Sequence, residues 1–359
     1  MKTQTRQHFL MSVASVIVVL LLMLIIQNSG LDSYYIRILK YWAVYVIFGA
    51  SFQILYGYSG LLSLGHAGLI AVGAYTVALL TLSPEVKKMS FLFKPPAPII
   101  ANVQLPFIPA LIIGGIVTAI IGFIIATPAL RLGGDYLAMV TMGFSEVIRL
   151  LIINMPSLFN GAMGLRSIPQ SCTLVMAWAT AIFCVFVLKR IENSSFGRVL
   201  LAMNEDEIGA EALGISIFTN KVASFVISAF FAGIGGGLLA SILGTIDPNS
   251  FKTTLTYAAI SVVVLGGLRS TTGIIISAGI YTIASEALRF LETPLKISET
   301  FTIPGIPGMR VLIFGLMLLL LMLYKRDGMM GWHEFSWDWL KKFVGKIFGK
   351  KNSKEGVEA

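Results

Sequence analysis

Few side chains in this 359-residue chain are of types that do chemistry, and their spacing narrows what that chemistry is. Glu146 and Arg149 stand three residues apart, as do Glu286 and Arg289, so each acid shares a helix face with its base. The surrounding segments, SEVIRL and SEALRF, match, and each follows a Leu-Arg pair, Leu130-Arg131 and Leu268-Arg269. An internally repeated hairpin, as transporters often have, would make the acids equivalent docking points. Two snorkelling ion pairs are the plainer reading. His66 is the titratable group of a glycine-rich stretch, and a lone histidine there reads as a hydrogen-bonded packing residue more readily than as a proton carrier. Cys172 and Cys184, with three scattered histidines, make neither a disulfide nor a metal site. Gly345–Lys350 is one residue short of a phosphate-binding loop and follows no strand. AGIGGGLLA at 232–240 looks like a dinucleotide fingerprint but lies in apolar sequence, where helix packing explains it. With no paired carboxylates and no Ser/His/Asp order, the chain reads as a non-enzyme without cofactor or metal.

The elements that carry these residues are apolar. The sequence is 56% hydrophobic and 13% charged, against about 25% charged in soluble proteins. Runs of this length and apolarity cross a hydrocarbon core as helices that satisfy their own backbone, which gives an all-α polytopic bundle. Ten crossings are predicted, at 9–27, 37–55, 62–82, 107–128, 136–154, 172–188, 221–243, 255–268, 272–290 and 309–324. The eighth is short enough to be broken or re-entrant. The first follows Lys2 and Arg6 like a signal peptide, but its length and the lack of a small-x-small site predict that it is retained. Ten crossings put both termini on one side. With that side inside, sixteen of the 27 basic residues fall in inner segments and ten in outer ones, so the termini are expected in the cytoplasm. The same bias accounts for the net charge of +9 without nucleic acid.

Three polar segments interrupt the bundle. The stretch 83–109 holds Pro84, Pro95, Pro96, Pro98, Pro106 and Pro109, and reads as an irregular but stiff outer loop. It is either an external docking element or a tolerated insertion. The tail, 331–359, sets Trp337, Leu340, Phe343, Val344, Ile347 and Phe348 at helical spacing among lysines, as an amphipathic helix on an anionic lipid surface would. It divides the chain from a transmembrane domain of residues 1–330. The third segment, 189–220, is charged and helix-forming on the same side as the termini, where it would meet a soluble partner.

The third crossing, GYSGLLSLGHAGLIAVGAY, carries Gly60, Ser63, Gly65, His66, Gly68 and Gly73. Small residues permit close helix contact in lipid, so they serve either packing or a flexible wall of a substrate path.

Four blocks, at 59–75, 129–151, 194–240 and 266–289, with KRDGMMG at 325–331, resemble the M-type membrane permease of prokaryotic branched-chain amino acid ABC importers. The resemblance covers about residues 40–330. It implies a ten-helix importer fold in the cell membrane, two ABC ATPase subunits, a related H-type permease and an external substrate-binding protein. It also implies an ATPase-coupling helix in the third block, at Phe196, Gly197, Arg198, Ala202, Glu205, Ala210, Leu213 and Gly214. Asn204 departs from a common arginine, and Leu69 from a common phenylalanine. Urea and short-chain amide importers have similar permeases, so the ligand stays open between these classes. An ion-gradient carrier would want acids at mid-depth, whereas Glu146, Glu286 and Asp135 are expected near span ends. A non-transporting scaffold has no need of Gly-rich, polar-dotted spans.

Overall fold

A computed structural model describes residues 16–91, 94–132, 134–292, 295–298, 301–303, 308–324 and 328–331. The tail from 332 and the first residues of the first crossing lie outside these. Ten apolar helices occupy the ten predicted places: α1 Val16–Asn28, α2 Ser33–Phe52, α3 His66–Thr81, α6 Phe107–Ala129, α7 Asp135–Asn154, α9 Leu174–Glu192, α12 Ile217–Leu243, α13 Thr253–Gly266, α14 Thr271–Ala287 and α15 Met309–Tyr324. Five of them are long and apolar enough to cross a membrane, α2 with its extension to Tyr58, α6, α7 from Tyr136, α9 and α12. A sixth is added if α3 and the short α4 (Pro84–Ser90), bent by 118° at their junction, form one broken span. The chain is a multi-pass membrane protein. A small antiparallel hairpin, β1 Leu295–Ser298 with β2 Phe301–Ile303, was not expected and lies between α14 and α15 in sequence.

The centre of the bundle is α12, packed against α6, α3 and α2. Its glycines let backbones approach. A Cβ on Gly73 of α3 would stand 2.2 Å from the Gly233 carbonyl, and one on Gly236 would stand 2.2 Å from that of Ile70. In lipid such close contact replaces the hydrophobic drive that water would supply. The stretch 232–240 is therefore packing surface inside one helix.

The expected third crossing is corrected in one respect. Residues 57–75 are not a single helix. The last turns of the second crossing widen into a π-helix, Gln53–Tyr58. Residues 59–65 then run without regular structure, and α3 begins at His66. Gly60, at φ +69°, takes the left-handed conformation that this turn-back needs. Most of the break is buried, and α7 and α13 help to satisfy its backbone: Leu64 N–H donates to Thr141 Oγ1 (3.1 Å) and Ala67 N–H to Thr256 Oγ1 (2.8 Å).

The proline-rich stretch folds into α4 and a short α5, Pro98–Ala101. Buried Lys87 donates from Nζ to the carbonyls of Ile100 (2.8 Å) and Val103 (2.5 Å). Ala97 N–H reaches the Ser157 carbonyl and Leu105 N–H that of Leu80. Stiffness here comes from these bonds as much as from proline.

Candidate functional site: the α10–α11 loop and the turn beneath it

Between α9 and α12 the charged loop folds as two short helices, α10 Ser195–Glu205 and α11 Glu207–Ala212. Ser194 caps the first, accepting from Gly197 N–H at 3.5 Å, and Asp206 caps the second, accepting from Ile208 N–H at 3.0 Å. Such caps satisfy donors that a helix start leaves open. α10 turns Gly197, Leu200 and Met203 inward. A Cβ on Gly197 would lie 1.9 Å from the Glu192 carbonyl, so only glycine lets α10 fold back on the end of α9.

The expected loop residues divide by exposure. Gly197 and Ala210 are buried and Phe196 is half-buried. Arg198, Ala202, Glu205, Leu213 and Gly214 face outward. Ile208, which sequence reasoning missed, is 81% exposed and Leu213 is 82% exposed. Two apolar side chains so exposed, among Glu205, Asp206, Glu207 and Glu211, form a knob suited to a groove on a soluble partner. A Glu207–Lys221 pair, 2.5 Å apart, ties α11 back to α12.

Beneath α10 the structure joins two motifs that are far apart in sequence. The Gly57 carbonyl, at the end of the π-helix, accepts from Asn204 Nδ2 (3.5 Å) and from Arg269 Nε (3.3 Å). Arg269, in the turn between α13 and α14, also donates from Nη2 to Glu205 at 3.0 Å. Gly60 faces Asn204, whose Oδ1 would be 2.2 Å from a Cβ there. Asn204, the departure from the resembled family, thus contacts the glycine turn, and a guanidinium arrives instead from Arg269. Gln53, in the first π turn, is fully buried, and its amide has no hydrogen-bond partner among the described residues. The loop, the π-helix and the α13–α14 turn therefore meet at one carbonyl.

His66 lies deeper. Its Nε2 is 3.1 Å from Ser228 Oγ, and that hydroxyl donates to the Ser51 carbonyl at 2.7 Å. With its proton spent, Ser228 accepts, so Nε2 carries a hydrogen, and full burial with no partner at Nδ1 among the described residues disfavours a charged ring. Its ring stands edge-on to Phe52, 4.7 Å between centroids. Ser63 accepts from Gly65 N–H (3.3 Å), Gly65 abuts the Thr141 carbonyl, and Gly68 abuts Ser145 of α7.

At the opposite end of the bundle Glu146 pairs with Arg149, which also reaches Asn249 (3.3 Å), and Glu286 pairs with Arg289 (3.0 Å) and accepts from Tyr34 OH (3.0 Å). No described bond joins the two pairs. Glu146 lies about two turns before the end of α7, deeper than expected. Glu286 and Arg289 line a cavity of about 360 Å³ with Arg37, Tyr41 and Arg310. Glu292, bonded by Arg310 Nε (2.9 Å) and Nη2 (2.6 Å), is held below the usual carboxylate range by that guanidinium. Among the described residues no group of acids, histidines and cysteines could hold a metal ion.

A family model described as "Branched-chain amino acid transport system / permease component" matches residues 34–322. The chain belongs to that family. It is 29% identical over 280 residues to the high-affinity branched-chain amino acid transport system permease protein LivM of Salmonella typhimurium, covering 68% of this chain and 61% of that protein. A probable branched-chain amino acid transport permease protein LivM of Methanocaldococcus jannaschii is 26% identical over 254 residues, 67% of this chain and 73% of its own length. The autoinducer 2 import system permease protein LsrC of Escherichia coli is 28% identical over 145 residues, 39% of this chain and 42% of LsrC. The chain thus spans about three-fifths of the Salmonella relative. No solved structure matches it significantly.

Proposed function

We propose that this chain is a permease subunit of an ABC importer, forming with a related H-type permease the path for leucine, isoleucine and valine across a prokaryotic cell membrane. Its termini and the α10–α11 loop lie in the cytoplasm, where two ATPase subunits seat on the loop, and an external binding protein delivers substrate at the opposite end. The exposed Ile208–Leu213 knob among acids carries this reading, because a membrane protein has no use for such a surface in water without a partner. Family membership and the relatives' names support the substrate class.

Closure of the ATPase pair would displace α10–α11 as a rigid body. The Gly57 carbonyl, held from both Asn204 and Arg269, carries that displacement into the π-helix and the α13–α14 turn. Gly57 approaches the Leu268 carbonyl so closely that a Cβ would lie 2.0 Å away, so the two elements move together. Affinity purification of the full chain in mild detergent, followed by native mass spectrometry, tests the assembly. An ATPase pair with a sister permease is the expected result; an intact complex holding this chain alone overturns it.

A further inference from the structure

The second large cavity of the far end lies between α2, α13, α14 and α15, measures about 460 Å³, and is unlike the exposed faces of the bundle. Its volume falls in the range of roughly 300–1,000 Å³ usual for small-molecule sites. One wall is aromatic: Tyr45 packs on Tyr281 at 5.0 Å and Tyr281 on Phe314 at 4.5 Å. The other is charged. Arg310 and Glu292 both line it, beside Ser285.

The donors there are only partly used. Of the five N–H groups of a guanidinium, Arg310 spends Nε and one Nη2 proton on Glu292, and one Nη1 proton on the Ser285 carbonyl at 3.5 Å. Two remain without a partner among the described residues. The hydroxyls of Tyr45 and Tyr281 are likewise without hydrogen-bond partners there. Guanidinium and phenol donors together suit a carboxylate. Glu292 Oε1 takes the long bond from Arg310 N–H (3.3 Å), and the carboxylate also bonds the Gly308 backbone, so Glu292 offers the cavity its negative charge rather than a free lone pair. That charge beside aromatic faces suits an ammonium. Leu255, Val311 and Phe314 leave room for an aliphatic chain.

We propose that this cavity is a substrate station in the permease itself, and that it takes the zwitterion of an aliphatic α-amino acid. The carboxylate binds Arg310 and the two phenols, the ammonium lies over the aromatic faces on the Glu292 side, and the side chain lies against Leu255 and Val311. This rests on the importer reading and extends it. An uncharged amide or urea has no carboxylate for the two unspent Arg310 N–H groups, so the station selects against the other ligand class that resembling permeases serve.

The test uses the full chain in lipid nanodiscs, with binding read by saturation-transfer NMR. L-leucine, 4-methylpentanoate, isoamylamine and urea are titrated in turn. Leucine is expected to bind roughly tenfold or more tightly than either half-charged analogue, and urea is expected not to saturate. Glu292→Gln should weaken leucine and isoamylamine by about tenfold without weakening 4-methylpentanoate, because it removes the acid that competes for Arg310. Tyr45→Phe with Tyr281→Phe, which preserves the packing, should weaken leucine and 4-methylpentanoate but not isoamylamine. Equal binding of all four ligands, no leucine binding, or leucine binding untouched by these variants overturns the station. ATP-driven leucine uptake by the assembled complex separates the two readings: uptake without a station removes this proposal alone, and no uptake removes the importer reading.

Discussion

A single carbonyl, that of Gly57, receives hydrogen bonds from the α10 residue Asn204 and from Arg269. Its glycine is required because a Cβ would meet the Leu268 carbonyl at 2.0 Å, and backbone cannot yield as a side-chain tip does. Gly57→Ala should therefore destabilise the chain by roughly 3 kcal/mol. Gly143→Ala, inside α7 with nothing within 4 Å of its Cβ, should cause no loss and add up to about 1 kcal/mol through helix propensity. Thermal unfolding of the two variants in one detergent checks the contrast. The second residue-scale prediction concerns His66. A neutral ring donating to Ser228 explains packing and asks for no proton transfer. His66→Gln retains a donor and should keep most uptake, with a flat profile from about pH 6 to about pH 8. His66→Ala empties a buried site and should cost about 2–4 kcal/mol. Uptake that follows the titration of His66 would restore the proton-carrier reading. Tautomer and partner were not legible in sequence, because Ser228 and Ser51 lie 162 and 15 residues away and only the fold brings them to the ring.

Among the elements, the loop helices α10 and α11 couple to the bundle through charge as well as shape. Glu205 accepts from Arg269 at 3.0 Å. Glu205→Arg puts like charges together and should uncouple ATP hydrolysis from uptake while the protein still reaches the membrane. Adding Arg269→Glu should restore part of the coupling. A double variant as uncoupled as the single would show that Glu205 acts on the partner alone. Gly214, at φ +80° with open space around it, tolerates bulk but not the backbone of an L-residue, so Gly214→Arg should strain the chain where α11 hands over to α12. Ile208→Asp and Leu213→Asp should each weaken ATPase association by tenfold or more, in roughly the range of an interface hot spot, without changing the melting temperature. Co-purification yield against unfolding temperature measures both. The helices themselves were readable in sequence, since ten apolar runs gave ten helices in place. The break at 59–65 was not, because its glycines suit a helix–helix contact equally well, and only the positive φ of Gly60 and the bonds of Leu64 and Ala67 N–H to Thr141 and Thr256 distinguish a turn. The hairpin at 295–303 escaped for a similar reason: seven strand residues next to a long apolar run carry little periodicity of their own.

At the scale of the molecule, the bundle is sorted into ends. One end exposes an apolar knob among acids; the other gathers Arg37, Arg289, Arg310, Glu286 and Glu292 around two cavities. The core between them is α12 against α6, α3 and α2, closed by glycine contacts that leave little room for independent motion. A repeated hairpin would make Glu146–Arg149 and Glu286–Arg289 equivalent pairs, where two separate snorkelling pairs are the plainer reading of the sequence. The structure separates them: the second lines a cavity with Arg37 and Arg310, whereas the first sits on α7 with Asn249. Convergence of Arg310 and Glu292 was hidden, because their eighteen-residue separation spans a hairpin that no local rule would have folded.

Under the importer reading proposed above, this chain conducts branched-chain amino acids only when separate ATPases drive it. The most direct measurement is uptake of radiolabelled leucine into proteoliposomes holding the co-purified complex, with ATP supplied on the side of the α10–α11 loop. Uptake is expected to require ATP and to stop when Leu213→Asp removes the knob. Uptake by this chain alone, driven by an ion gradient and indifferent to ATP, would contradict it.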